Sequence, residues 1–249
     1  MATVYMATRR LGYFVAAAAI LASCGVFDRG GDVEGFPDVD LGAPVEVYKQ
    51  TPQRDLHVHL FGIDGLAAGD RGAVLFFHGG GFASTRVEQF ERQAQIVADS
   101  GMVGIVVEYR VTAEGTSRAD AVADGVDTVG WVRTHGENLG IDPDRIAIAG
   151  GSAGGALAVE ASGEAMVAVL FNPAVGGASA AFVEERPTIV FHSREDTIVP
   201  FASAQAFCDA ATACELVAFD QGDHGFFNDD PAFTETTDAM IDFLERNGW

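Results

Sequence analysis

Gly150-Gly151-Ser152-Ala153-Gly154-Gly155 decides how this chain is read. The segment follows an apolar run at 146–149 that reads as a strand, and it opens a stretch, 153–162, that reads as a helix. A G-x-S-x-G match between strand and helix is the context of a nucleophile carried on a sharp turn. Such a turn holds its serine in a strained backbone conformation, and glycine at the flanking positions lets the chain segments pass closely. The hydroxyl then projects from the sheet edge at a helix N-terminus, where the dipole favours developing negative charge. On its own the motif is a Gly-rich turn that recurs by chance. The strand before it and the helix after it favour Ser152 as a nucleophile.

On either side of this segment, continuous apolar runs alternate with helical spacing. Strands are expected at 73–77, 103–107, 146–149, 167–171, 188–191 and 216–219, and helices at 87–100, 118–135, 153–162, 202–211 and 234–247. Unbroken apolar strands between amphipathic helices imply an α/β fold with a mostly parallel, doubly wound sheet covered on both faces. An antiparallel pair, 45–48 with 56–61, precedes it, and His57 and His59 alternate there with Leu56, Val58 and Leu60. Two histidines at i, i+2 without a third ligand nearby read as exposed edge-strand residues, so no metal is expected.

Three further segments carry chemistry. His78-Gly79-Gly80-Gly81-Phe82 directly follows strand 73–77. Consecutive glycines free backbone N–H groups to face a substrate oxyanion, whereas a merely flexible loop does not explain the position at that strand end. His78 reads as fixing the loop through hydrogen bonds rather than moving protons. Asp196 lies just past strand 188–191 and His224 just past strand 216–219. A serine needs a general base, and the base needs a carboxylate to hold its tautomer. Ser152, Asp196 and His224 follow the order Ser…Asp…His, each at a strand's C-terminal end, where ligands bind in open α/β sheets. Glu195, Asp220 and Asp223 are rival acids. Asp223 reads as a solvated loop residue, and Glu195 falls one position early.

Together these segments resemble an α/β-hydrolase of the hormone-sensitive-lipase-like group, and are similar to bacterial carbohydrate esterases of the acetylxylan and feruloyl type. Glu108-Tyr109-Arg110 and Gly140-Ile141-Asp142-Pro143-Asp144-Arg145-Ile146 add to the motifs already quoted, all in family order over residues 43–249. The resemblance implies an α/β-hydrolase fold and a serine carboxylesterase working through an acyl-enzyme, and the short connection 174–187 leaves that fold little or no cap. It also implies no cofactor, and Gly80, Gly81 and Ala153 as oxyanion donors. Two departures stand out. Glu108 replaces the commoner Asp, which is expected to alter an ion pair with Arg110, and Gly151 stands where many relatives carry Asp. Only 14 residues, 174–187, separate Asn172-Pro173 from the next strand, where many relatives insert helical caps. An open cleft fits short or aryl esters, as a small ester or an esterified polysaccharide bearing acetyl or feruloyl groups. Phe82, Phe226 and Phe227 either line an aromatic platform for such a substrate or pack in the core. The alternatives are a serine peptidase-like hydrolase, for which residues 24–249 leave no room for an access-restricting domain, and a catalytically silent surface binding lipoprotein.

Charge and the N-terminus complete the reading. Lys+Arg 15 against Asp+Glu 36 gives a net charge of −21, which repels phosphate backbones and excludes nucleic acid as a partner. Arg9-Arg10, the apolar stretch 11–22 and Leu21-Ala22-Ser23-Cys24 read as a lipoprotein signal peptide, 1–23, with lipidation at Cys24. About a dozen apolar residues are too few to cross a core of ~30 Å. The exported protein is thus expected on the periplasmic or cell-surface side of the envelope, held to the membrane by a lipid at Cys24. An acidic, Gly-rich tether, 24–41, leads to the catalytic domain, 42–249. Cys208 and Cys214 read either as a small-loop disulfide or as two separate buried thiols.

Overall fold

Strands β1 (Val45–Gln50), β2 (Asp55–Phe61), β3 (Arg71–Phe77), β4 (Val103–Val107), β5 (Ile141–Gly151), β6 (Val167–Phe171), β7 (Thr188–Ser193) and β8 (Cys214–Phe219) form one sheet in a computed structural model of the chain. Its order is β1-β2-β4-β3-β5-β6-β7-β8. The structure describes residues 39–63, 69–183 and 185–249. The signal segment, Cys24 and the tether up to residue 38 lie outside the described residues. β1 pairs antiparallel with β2, and β2 with β4, while every other neighbouring pair is parallel.

The apolar runs are continuous because both faces are covered. Leu75 and Phe77 of β3, Ile146 and Ile148 of β5 and Leu170 of β6 pack in one cluster with residues of α2 (Arg118–His135), α3 (Ala153–Glu160) and α4 (Phe201–Ala210). The alternate residues Val74, Phe76, Ala147, Ala149 and Val169 pack in the other, with α1 (Glu91–Asp99) and α5 (Ala232–Arg246). Each strand thus contributes its period-two sets to two cores. Leu41 joins the second cluster at 8% exposure, so the ordered packing begins ahead of β1. Helix α2 starts where the sequence carries a capping box: Asp120 Oδ2 accepts the Ser117 amide at 2.8 Å and Ser117 Oγ accepts the Asp120 amide. The expected helix at 87–100 divides into a short 3-10 turn, Val87–Phe90, and α1.

Two expectations about the antiparallel strands need correction. His57 and His59 are not exposed edge residues, because β2 lies between β1 and β4; His59 is 1% exposed. Both rings reach the Glu108 carboxylate, His57 Nδ1 at 3.3 Å and His59 Nε2 at 3.2 Å. Glu108 pairs with Arg54 rather than with Arg110. Arg110 instead grips the buried Asp124 with Nε at 2.9 Å and Nη2 at 2.7 Å, which leaves no role for Glu108 beside it.

Cys208 and Cys214 form a disulfide that joins the last turn of α4 to the first residue of β8. The crosslink anchors an edge strand whose end leads to His224. A closed loop this small removes on the order of 2 kcal/mol of unfolded-state entropy. Replacing both cysteines by serine is expected to lower the unfolding free energy by about that amount in urea titrations. An unchanged midpoint would show that the crosslink does not stabilise the edge.

Candidate active site

Ser152 stands between β5 and α3 with φ 52° and ψ −118°, a conformation that a side chain rarely adopts. Its amide donates to the Phe171 carbonyl at 2.9 Å, and its carbonyl accepts the Ala174 amide at 2.9 Å, so the strained residue is held by the end of β6 and by the segment just after it. Strain of this kind costs of order 1–3 kcal/mol and persists only where the surroundings over-determine it. The surroundings here are a close backbone approach. A Cβ on Gly154 would overlap the carbonyl oxygens of Phe77 and His78, and one on Gly150 would overlap the carbonyl of Gly154. The first turn of α3 therefore rests directly on the end of β3.

Beneath the turn lies an aromatic cluster. A Cβ on Gly151 would come within 2.9 Å of the Phe227 ring and 3.2 Å of Phe90. Those two rings stack at 5.7 Å, and Phe171 tilts against Phe227 at 5.0 Å. Rings thus occupy the space that an aspartate at 151 would need. The same packing answers the question about the phenylalanines: Phe226 is 7% and Phe227 1% exposed, both core residues. Phe82 alone of the three is half-buried, edge-on to Tyr109 at 6.4 Å with the Arg118 guanidinium 5.1 Å from its ring.

The structure brings Ser152, His224 and Asp196 together. His224 Nε2 lies 2.8 Å from Ser152 Oγ, and His224 Nδ1 lies 2.7 Å from Asp196 Oδ2. The other Asp196 oxygen accepts the Ile198 and Val199 amides at 2.8 and 2.9 Å. Burial acts to raise the Asp196 carboxyl, but the hydrogen bonds from His224 and from the Val199 and Ile198 amides outweigh it and hold the group below the usual carboxylate range. An ionised Asp196 accepts the Nδ1 proton, which leaves Nε2 as the acceptor for the serine hydroxyl. The rival acids are elsewhere. Asp223 Oδ1 accepts the Gly225 amide within its own turn, Asp220 pairs with Arg194 at 3.1 Å, and Glu195 is exposed.

Several supporting residues carried no signal in the sequence. Asn172 Nδ2 donates to the His224 carbonyl, and Asn172 itself has φ 41° and no exposure. Its place just past a strand, in a conformation asparagine tolerates better than most, is the one hint available. Ser193 Oγ donates to the Gly222 carbonyl and so ties the end of β7 to the turn before His224. His192 is fully buried and donates from Nε2 to the Val199 carbonyl at 2.9 Å, closing the loop around Asp196; burial pushes its pKa down.

The glycine run lies beside the turn. A Cβ on Gly79 would be 3.4 Å from Ser152 Cβ. Buried His78 stacks on Tyr109 at 4.2 Å and donates from Nδ1 to the Gly79 carbonyl at 2.6 Å, while the Tyr109 hydroxyl donates to the His78 carbonyl at 2.7 Å. Burial pushes His78 down to about 4, so the ring is neutral near pH 7 and holds the loop. Gly80 and Gly81 are left-handed at φ 112° and 64°. Among the described residues, the amides of Gly80, Gly81 and Ala153 donate to no protein acceptor. No group of three or more His, Cys, Asp or Glu among the described residues is placed to hold a metal ion.

This arrangement sets a serine hydroxyl hydrogen-bonded to a histidine, and amides without a protein acceptor, at one end of a parallel sheet. Residues 74–213, more than half of the chain, match the α/β-hydrolase fold family. Lipase 2 of Moraxella sp. (strain TA144) is 37% identical over 90 residues, 36% of this chain and 21% of that protein. Esterase LipI of Mycobacterium tuberculosis is 41% identical over 88 residues, 34% of this chain and 27% of that protein. The chain thus aligns with about a quarter of the length of these relatives. A thermophilic esterase from the planctomycete Thermogutta terrifontis superposes with a TM-score of 0.78 at 32% identity, covering 83% of this chain and 93% of that one. Fold, site and relatives agree, and the chain belongs to the α/β-hydrolase fold family, in the group that holds these esterases and lipases.

Proposed function

We propose that the chain is a serine carboxylesterase that hydrolyses short-chain esters through an acyl-enzyme. The hydrogen bonds of 2.8 and 2.7 Å that join Ser152, His224 and Asp196 at the strained turn carry this reading. Ser152 Oγ attacks the ester carbonyl carbon as its proton passes to His224 Nε2, and Asp196 stabilises the imidazolium. The tetrahedral oxyanion accepts from the Gly80, Gly81 and Ala153 amides, which act as preorganised donors. His224 returns the proton to the leaving alcohol. A water molecule gives a proton to His224 and attacks the acyl carbon, and collapse of the second oxyanion breaks the acyl–Oγ bond as His224 returns that proton to Ser152 Oγ, releasing the acid.

The substrate side of the reading rests on the connection 174–187. It holds one short 3-10 helix, Gly177–Phe182, and Ala180 and Val183, at 5% and 1% exposure, turn back into the core. Phe182, 51% exposed, lies beside Ser162 past the C-terminal end of α3, so the connection leaves little apolar surface near Ser152 to cover a long acyl chain. The Thermogutta esterase has been solved with propionate and with butyrate bound, which supports short acyl groups here. With Phe226 and Phe227 in the core, Phe82 is the one ring of the three left for a flat aryl group, so acetyl is favoured over feruloyl. A bulky alcohol such as an acetylated polysaccharide fits an uncovered cleft. The protein is further proposed to be exported and lipid-anchored through Cys24, and a disulfide suits an oxidising compartment.

Ser152→Ala and His224→Ala are each expected to lower kcat for p-nitrophenyl acetate by ~10³-fold or more, because such residues act as a unit. Asp196→Asn should be far more damaging than Asp223→Asn; the reverse order would move the acid. Absence of turnover by the wild type would favour the silent binding lipoprotein.

Across a p-nitrophenyl ester series, kcat/KM is expected to peak between acetyl and butyryl and to fall by octanoyl. Each methylene buried in a deep pocket is worth about 0.8 kcal/mol, nearly fourfold, so a steady rise through octanoyl would contradict an uncapped site.

Intact-mass analysis of protein from the native host is expected to find Cys24 as the acylated first residue, with Cys24→Ser released to the soluble fraction. An unmodified Cys24, or cleavage elsewhere, would remove the anchor.

A further inference from the structure

Glycine donors are good oxyanion ligands only when something else holds them still. Gly80 and Gly81, at φ 112° and 64°, belong to the residue type with the widest backbone freedom. The peptide groups ahead of them are fixed at both ends. The Gly79 carbonyl accepts from His78 Nδ1 at 2.6 Å, and the Gly79 amide donates to Gln89 Oε1 at 2.7 Å. Gln89 stands on the 3-10 turn Val87–Phe90, whose Val87 and Phe90 are 2% and 0% exposed, so its backbone is anchored in the aromatic core. Its other end points across the site. Gln89 Nε2 lies 3.5 Å from Asn228 Oδ1, and Asn228 Nδ2 donates to the Gly225 carbonyl, next to His224, at 2.8 Å.

We propose that Gln89 is a positioning residue, a strut between the glycine run after β3 and the histidine turn after β8. Through Asn228 it keeps the Gly80 and Gly81 amides in register with His224 around Ser152. The inference rests on reading this site as an esterase. Its energetic logic is preorganisation: donors fixed before reaction need not reorganise as charge develops. Loosening them weakens the transition state more than the bound substrate, so the loss falls on kcat.

The test is steady-state kinetics with p-nitrophenyl acetate on Gln89→Met, Gln89→Glu and Asn228→Ala, with melting temperatures measured alongside. Gln89→Met keeps the side-chain length and removes the acceptor. It is expected to lower kcat about 10- to 100-fold with KM within about twofold, somewhat less than deleting an oxyanion donor outright. A trifluoromethyl ketone, which adds Ser152 Oγ to form an oxyanionic hemiketal, should lose affinity in proportion to kcat/KM. Gln89→Glu keeps the acceptor for the Gly79 amide but loses the donor to Asn228 Oδ1, so kcat should fall only about fivefold, as in Asn228→Ala. A Gln89→Met kcat within about threefold of wild type, equal losses in Met and Glu, or undiminished ketone affinity would each overturn the strut. Should Gln89→Met fail to fold, Asn228→Ala severs the far end alone. A fall of about fivefold in kcat supports the proposal, and wild-type kcat overturns it. A wild type that turns over no ester overturns the esterase reading as well, whereas an active wild type with an equally active Gln89→Met overturns only the strut.

Discussion

The first turn of α3 lies so close to the end of β3 that position 154 has no room for even a Cβ against the carbonyls of Phe77 and His78. That contact forces the chain to reverse between β5 and α3 in a single residue, and Ser152 absorbs the reversal at φ 52°. It also puts the glycine run, which continues from β3, against the serine. Because β3 and β5 are neighbours in the sheet, the nucleophile and the glycine amides meet without any long loop. Asp196 and His224 then arrive from β7 and β8, the last two strands of the same parallel set. Parallel order alone brings their C-terminal ends to one edge.

Electrostatics at the site follow from burial and from who donates to whom. Asp196 stays ionised because two backbone amides and His224 donate to it, which more than offsets its burial. His78 and His192 are pushed the other way, toward neutrality, because burial dominates in each, at His192 even against Asp196 Oδ2 3.4 Å from its Nε2. Burial thus leaves His78 and His192 as neutral supports of the loops around the site, while His224, whose side chain is 23% exposed, faces Ser152. Away from the site the lone lysine is committed to structure, with Lys49 Nζ 2.6 Å from both Asp124 and Asp127.

Much of this was legible in the sequence where local pattern and chain order carry the information. Strands β4 and β6 and helix α2 occur at the expected bounds, because continuous apolar runs and helical apolar spacing are local signals. The order Ser…Asp…His, each after a strand, was enough to choose Asp196 over Asp223 as the residue that meets His224. What escaped depends on contacts between distant segments. The partner of Glu108 is Arg54, not Arg110 two residues away, because Asp124 from α2 claims Arg110. His57 and His59 are covered because β4 pairs with the far side of β2, a pairing no local alternation reveals. Asn172, Ser193 and Gln89 make side-chain hydrogen bonds to residues 52, 29 and 10 positions away. Periodicity has nothing to say about such bonds.

On the proposed mechanism, the strained turn presents an activated hydroxyl on Ser152 and on no other residue. Reaction with paraoxon followed by peptide mapping measures it directly, and the Thermogutta esterase is known in a form phosphorylated by paraoxon. Ser152 Oγ displaces p-nitrophenolate from phosphorus, so one p-nitrophenolate should be released per diethylphosphoryl group gained. The expected result is a single label on Ser152 that is absent from Ser152→Ala and strongly slowed in His224→Ala. A label on another residue, or an unlabelled wild type in which p-nitrophenolate is not released, would contradict it.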